Sequence, residues 1–293
     1  MAGFLDRMLT LDRRWIFLFV LVSVATPIIF PIGLPVTTSA STRAAFQYIE
    51  SLKPGDYVWV SFDYGPSSAP ENDPMAEAIM RQCLLKKLRL VVSALYPLGG
   101  LGLANSSVAK IAAEFPNAAY GVDYVNLGYK DGASAVMRRL GDNISEAFPT
   151  DATGKPYGEI PMMKGIRDIR QMKLVVSAAT GIIGEYWITI VRQQFGTPII
   201  VGPTAVSAPK YYAYLNAGQL VGMLSGMKGA AEYEKLLREA YPEMATFYRT
   251  TRKFTATKGM DGQTVIHTVI LLFVLLGNFA YIRSRVKARR QAA

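Results

Sequence analysis

The chain has 293 residues, 51% hydrophobic and 18% charged, with a formal net charge of +10. Soluble domains carry about 25% charged residues, so apolar segments outside an ordinary core are expected. A single cysteine, Cys83, excludes a disulfide framework, and a single histidine, His267, excludes Ser-His-Asp, Cys-His and His-zinc chemistry from the middle of the chain.

Residues 1–14 are read as a cytoplasmic N-terminal segment. Phe4, Leu5, Met8 and Leu9 fall near one face of a short amphipathic helix, or belong to a frayed terminus. Residues 15–36, "WIFLFVLVSVATPIIFPIGLPV", are uncharged and long enough to cross a hydrocarbon core of about 30 Å, so they predict a first transmembrane helix. Pro27, Pro31 and Pro35 predict that this helix kinks or ends in its outer half. Thr38-Ser39-Ala40 offers a cleavage site, but the apolar run is too long for a signal peptide, and an uncleaved anchor is expected.

Residues 37–262 alternate short β-rich runs with helical stretches. Strands are predicted at 56–62, 88–95, 123–129, 173–179 and 198–202. Helices are predicted at 41–53, 74–87, 105–115, 132–148, 183–195 and 217–240, with Asn72 or Asp73 capping the second and Pro74 in its first turn. This alternation implies an α/β domain with a Rossmann-like, mostly parallel sheet, flanked by N- and C-terminal transmembrane helices. "LRLVVSA" (88–94) and "MKLVVSA" (172–178) are nearly the same heptapeptide, and each leads into a glycine loop and a helix. Duplicated βαβ units and convergence on a good buried strand both account for this. Residues 149–165 read as a long loop, and their Gly154-Lys155-Pro156 is not a P-loop.

Ligands of open α/β sheets bind at the carboxyl ends of the strands. There the sequence places Gly100, Gly102, Asn105 and Ser106 in and after "YPLGGLGLANSS", Thr180 and Gly181 in "ATGIIGEYW", and Thr204 in "GPTAVSAPKYY"; all seven are candidate ligand-binding residues. The first loop is acid-free, which suits a small anion at a helix N-terminus. It departs from the dinucleotide fingerprint because Tyr96, Pro97 and Leu98 separate it from its strand and Asp123 begins a strand where it should end one. Asp63, Glu71, Asp73 and Glu185 are the candidate catalytic carboxylates, suited in pairs to glycosidic-bond chemistry. Gly218, Gly222 and Gly226 recur every four residues and predict a helix face closely approached by another backbone, either the domain's own sheet or a second subunit.

Residues 264–282, "TVIHTVILLFVLLGNFAYI", predict a second transmembrane helix, and 283–293 a basic cytoplasmic tail. Arg7, Arg13 and Arg14 before the first span, with Arg283, Arg285, Lys287, Arg289 and Arg290 after the second, place both termini in the cytoplasm and the domain outside. Arg249, Arg252, Lys253 and Lys258 argue the other way. The tails hold most of the positive excess, so the domain has no nucleic-acid footprint. The resulting expectation is a two-pass cell-membrane protein whose extracytoplasmic domain is a non-catalytic ligand-binding or assembly (scaffold) subunit. Its expected partners are membrane lipids, a homo-oligomer or membrane protein complex, and a small anionic ligand, with no cofactor and no metal. The alternatives are a carboxylate-dependent hydrolase or transferase acting on an extracytoplasmic glycan or lipid-linked substrate, and a cytoplasm-facing nucleotide-binding domain.

Overall fold

The computed structural model describes residues 12–251 and 254–292. The chain divides into two units, one holding residues up to Pro35 together with those from Thr257 onward, the other Val36–Ala256. The N-terminal segment expected to be amphipathic lies outside the described residues, as do Arg252 and Lys253.

In the first unit, helix α1 (Arg13–Ile29) starts where Asp12 accepts from the Arg14 N–H. It stops at Phe30, and the chain runs on without helix to Ser39. The span predicted over 15–36 is therefore helical only to Ile29. Pro31 and Pro35 lack the N–H a further turn would need, so the helix is about 26 Å long at 1.5 Å per residue. Among the described residues one helix, at the other end of the chain (Thr255–Ala292), is long and apolar enough to cross a membrane, and its most apolar 18 residues have a mean hydropathy of 2.2. The two apolar segments pack antiparallel within this unit. Phe19 meets Phe273 edge-on at 5.7 Å, and a Cβ on Gly262 would lie 3.7 Å from Ile28. The carboxylate of Asp261, buried near the start of the C-terminal helix, accepts the N–H groups of Ile32, Gly33 and Leu34 at 2.8–2.9 Å. Three backbone donors freed by the end of α1 are thereby satisfied.

The second unit is a six-stranded, wholly parallel sheet in the order β3-β2-β1-β4-β5-β6. Its strands are β1 (Tyr57–Asp63), β2 (Arg89–Ala94), β3 (Tyr124–Tyr129), β4 (Leu174–Ala179), β5 (Ile199–Pro203) and β6 (Gly222–Met223). This is the doubly wound order, whose direction reverses between β1 and β4. The first five strands fall within a residue or two of their predicted positions, because each is a mostly apolar, largely β-branched run buried on both faces. β6 is two residues long and has no periodicity to read.

The helices are α2 (Ala40–Ser51), α3 (Ala69–Leu85), α4 (Gly100–Glu114), α5 (Ala133–Leu140), α6 (Ile144–Ala147), α7 (beginning Ile183–Tyr186), α8 (Ala208–Asn216), α9 (Gly226–Ala240) and α10 (Pro242–Thr251), and the long C-terminal helix is α11. α7 continues as a π-helical stretch, Trp187–Arg192, and ends with an α-turn, Gln193–Phe195. α3 begins five residues before the prediction. Pro70, and not Pro74, occupies its first turn, so Asp73 lies inside the helix and caps nothing.

The glycine series is not a helix face. Gly218 closes a left-handed turn after α8, Gly222 lies in β6, and Gly226 opens α9. The close approach is nonetheless real at Gly222, where a Cβ would come within 2.5–2.6 Å of Ala45 on α2. Gly218 has open space beside it, so the three do not form one interface.

A buried ion network joins the helices on one face. Arg81 of α3, itself 1% exposed, binds Glu114 of α4 at 2.7 Å and Glu77 at 3.3 Å, and Lys110 reaches Glu77 at 2.8 Å. Removing one member would leave buried charge uncompensated.

Candidate functional site

The heptapeptide repeat becomes intelligible once the strand order is known. Its two copies are β2 and β4, which flank β1 in matching register, so Ser93, Ser61 and Ser177 form a row across three strands. Asp63, two residues after Ser61, projects from the same face at the end of β1. Ser61 Oγ donates to its Oδ1 at 2.7 Å, while Ser177 Oγ and Trp187 Nε1 donate to its Oδ2 at 2.5 and 2.7 Å. Behind them Trp59 Nε1 donates to Ser93 Oγ at 2.8 Å. Asp63 is wholly buried, and burial pushes its carboxyl up to about 6 against the pull of these hydrogen bonds and one from the Leu95 backbone. The group is a fixed element of the sheet's switch point and presents no face to solvent.

Several candidates gather around that point. Gly100 is the first residue of α4, with left-handed Gly99 (φ 91°) as its cap. A Cβ on Gly100 would lie 3.3 Å from both Phe62 O and Ala94 Cβ, so the helix start rests directly on the ends of β1 and β2. Thr180 N–H donates to Asp63 O at 3.0 Å, and Gly181 O accepts from Lys210 Nζ at 2.8 Å. Lys210 also pairs with Glu185 at 2.5 Å, and Tyr214 Oη stands 3.5 Å from the same carboxylate. Beneath the first turn of α7, a Cβ on Gly184 would strike the Tyr211 hydroxyl at 2.5 Å. That hydroxyl is buried without a partner, and burial followed by the charges of Glu185 and Asp63 pushes its pKa above the ordinary tyrosine range.

The other candidates are dispersed. Gly102 is exposed on α4 with nothing within 4 Å of its Cβ position, so the close approach required of a fingerprint glycine is missing there. Asn105 and Ser106 are exposed farther along α4. Asn105 Oδ1 accepts from Asn126 Nδ2 at 2.7 Å and lines a cleft of about 230 Å³ with Tyr129, Lys130 and Thr150 at the end of β3. Glu71, in the first turn of α3, accepts the Ala205 N–H at 2.8 Å, and Thr204 Oγ1 lies 3.2 Å from Ser207 Oγ in the β5–α8 loop. Asp73 accepts the Tyr64 hydroxyl and is raised above its ordinary pKa chiefly by burial.

No known family, curated protein or solved structure matches the chain.

Two features of that site escaped the sequence reading. Trp187, Tyr211, Asn72 and Ser225 lie beside candidate residues, yet look like core or loop residues until the elements are assembled. The carboxyl edge also carries bare aliphatic side chains, with Leu98 73% exposed after β2, Ile182 53% exposed after β4 and Val206 90% exposed after β5. Pro66 is exposed between them in the β1–α3 loop. Strand neighbours lie about 4.8 Å apart, so these loops form a crest about 14 Å long.

Proposed function

We propose that this is a two-pass membrane protein that presents its α/β domain outside the cytoplasm as a non-catalytic binding and assembly module, with the crest at the carboxyl edge as its docking surface. The observation that carries the reading is a contrast along one edge. Asp63, Asp73, Glu185 and Glu71 are each held by protein donors, whereas Leu98, Ile182 and Val206 are left in water. Single exposed aliphatics are ordinary, but a row of them on adjacent loops marks an interaction surface. A hydrolytic function has less support, because its best acid is buried and bonded on both oxygens.

The membrane part of the reading rests on α1 and α11. Both carry a long uncharged run whose large apolar side chains are left bare, with Trp15, Phe17, Leu21, Leu271, Leu275 and Phe279 all more than half exposed. Such helices are buried in hydrocarbon or in protein. The basic residues at both chain ends favour anionic lipid headgroups on the cytoplasmic side.

Native mass spectrometry of the full chain in detergent tests the assembly role. The unmodified protein is expected above the monomer mass and Leu98→Asp/Val206→Asp at it. A monomeric unmodified chain, or an unaltered mass in the variant, would contradict docking through the crest.

A further inference from the structure

At the amino edge of the sheet, the end opposite the crest, a cleft of about 650 Å³ opens between the last turns of α3 and α4 and the start of β2. Small-ligand sites usually enclose about 300–1,000 Å³. Pro54, Leu84, Phe115 and Pro116 give the cleft an apolar wall. Four charged side chains also line it, namely Lys87, Arg89, Glu114 and Asp123.

Three of the four are engaged within the protein. Glu114 accepts from Arg81 on both oxygens, at 2.7 and 3.1 Å. Asp123 accepts from Arg89 at 2.6 Å on one oxygen and from the Ala119 N–H at 2.9 Å on the other. The carbonyls at the two helix ends are capped as well. Cys83 O and Leu84 O accept from the N–H groups of Leu88 and Lys87, and Ile111 O and Ala112 O from that of Phe115. Among the described residues the Lys87 ammonium has no partner, so it is the one charge left over in the cleft.

The backbone singles out the same residue. Lys87, with φ 57°, is the only non-glycine residue of positive φ among the described residues. It follows the C-cap of α3, where the chain enters the left-handed region and glycine, lacking a Cβ, is the usual occupant. Backbone strain of this kind clusters at ligand sites. We propose that the cleft binds a small organic monoanion, a carboxylate on an apolar body, with Lys87 as its counter-ion and the Leu84, Phe115 and Pro116 wall against the body. A neutral ligand would leave the ammonium unmatched. A phosphate dianion would bring a second negative charge beside Glu114 and Asp123. The site is remote from the crest and does not depend on the assembly reading.

Saturation-transfer NMR titrations of the full chain in nanodiscs, with empty nanodiscs as the blank, test this. Hexanoate, benzoate and phenylacetate are the probes, and hexanamide, benzamide and phenylacetamide their neutral counterparts. At least one carboxylate should bind more tightly than its amide by about tenfold or more, the worth of a hydrogen bond to a charged group. Lys87→Gly should weaken that carboxylate by a similar factor, whereas Lys87→Arg, which keeps the charge, should retain it. Lys87→Gly should also melt no lower than the unmodified protein, because glycine takes a positive φ freely. Silence from all three carboxylates, equal binding of acid and amide, or unchanged affinity in Lys87→Gly would overturn the site. A lower melting temperature for Lys87→Gly would show a lysine kept for the fold, and would overturn it too.

Discussion

Ser177 and Asp63 meet at 2.5 Å across the β1–β4 junction, hydroxyl to buried carboxylate, at the one place where the sheet reverses its winding. The contact makes a titratable group part of the core. Its pKa of about 6 lies above the ordinary 3.8, so protonation favours the folded state. The stabilisation is fully present below about pH 3.8 and is lost as pH rises through about 6. The displacement corresponds to about 3 kcal/mol. Asp63→Asn should remove this dependence. Thermal melts between pH 4 and 7 should show the unmodified protein losing stability relative to the variant as pH rises, and parallel curves would contradict the assignment.

Two glycines predict opposite outcomes. Gly222→Ala drives a methyl into the backbone of Ala45 and should cost about 1–3 kcal/mol. Gly102→Ala meets open space in a helix and should stabilise by up to about 1 kcal/mol. Chemical denaturation of the two variants checks both signs.

Arg81→Leu should be among the most damaging single substitutions in the domain. It strands Glu114 in the interior without its cation and leaves Glu77 with Lys110 alone, at a cost of about 3–5 kcal/mol. Denaturation midpoints measure it. A loss below about 1 kcal/mol, the worth of an exposed pair, would show that the network is solvated.

Asp261→Ala removes the acceptor for three consecutive N–H groups at residues 32–34. Limited proteolysis read by mass spectrometry should then cut within residues 30–36, where the unmodified chain is protected.

The sequence carried the fold wherever one local rule decided it. Five strands announced themselves because a strand buried on both faces is dominated by apolar and β-branched residues. What depended on strand order was hidden: the repeated heptapeptide was visible, but its serines gain meaning only when β2 and β4 close on Ser61. Gly218, Gly222 and Gly226 misled because a spacing of four imitates one helix face while crossing a turn, a strand and a helix start. α8 was missed inside a stretch read as a strand-end loop, although Pro209 in "SAPKYY" is the first-turn proline of a helix. Among the site residues, Asp63 was legible as the end of an apolar strand. Asn72 and Ser225 were not, since a buried side-chain oxygen left without a partner is a property of three-dimensional neighbours.

The central claim, a domain held outside the cytoplasm, is tested most directly by labelling Lys164→Cys in intact cells with a membrane-impermeant maleimide. Lys164 is exposed on a loop of the α/β domain. Cys83, the only native cysteine, is fully buried with its thiol pushed up by burial, so it stays silent. Labelling of intact cells is the predicted result. Labelling that appears only after the membrane is permeabilised would contradict the account.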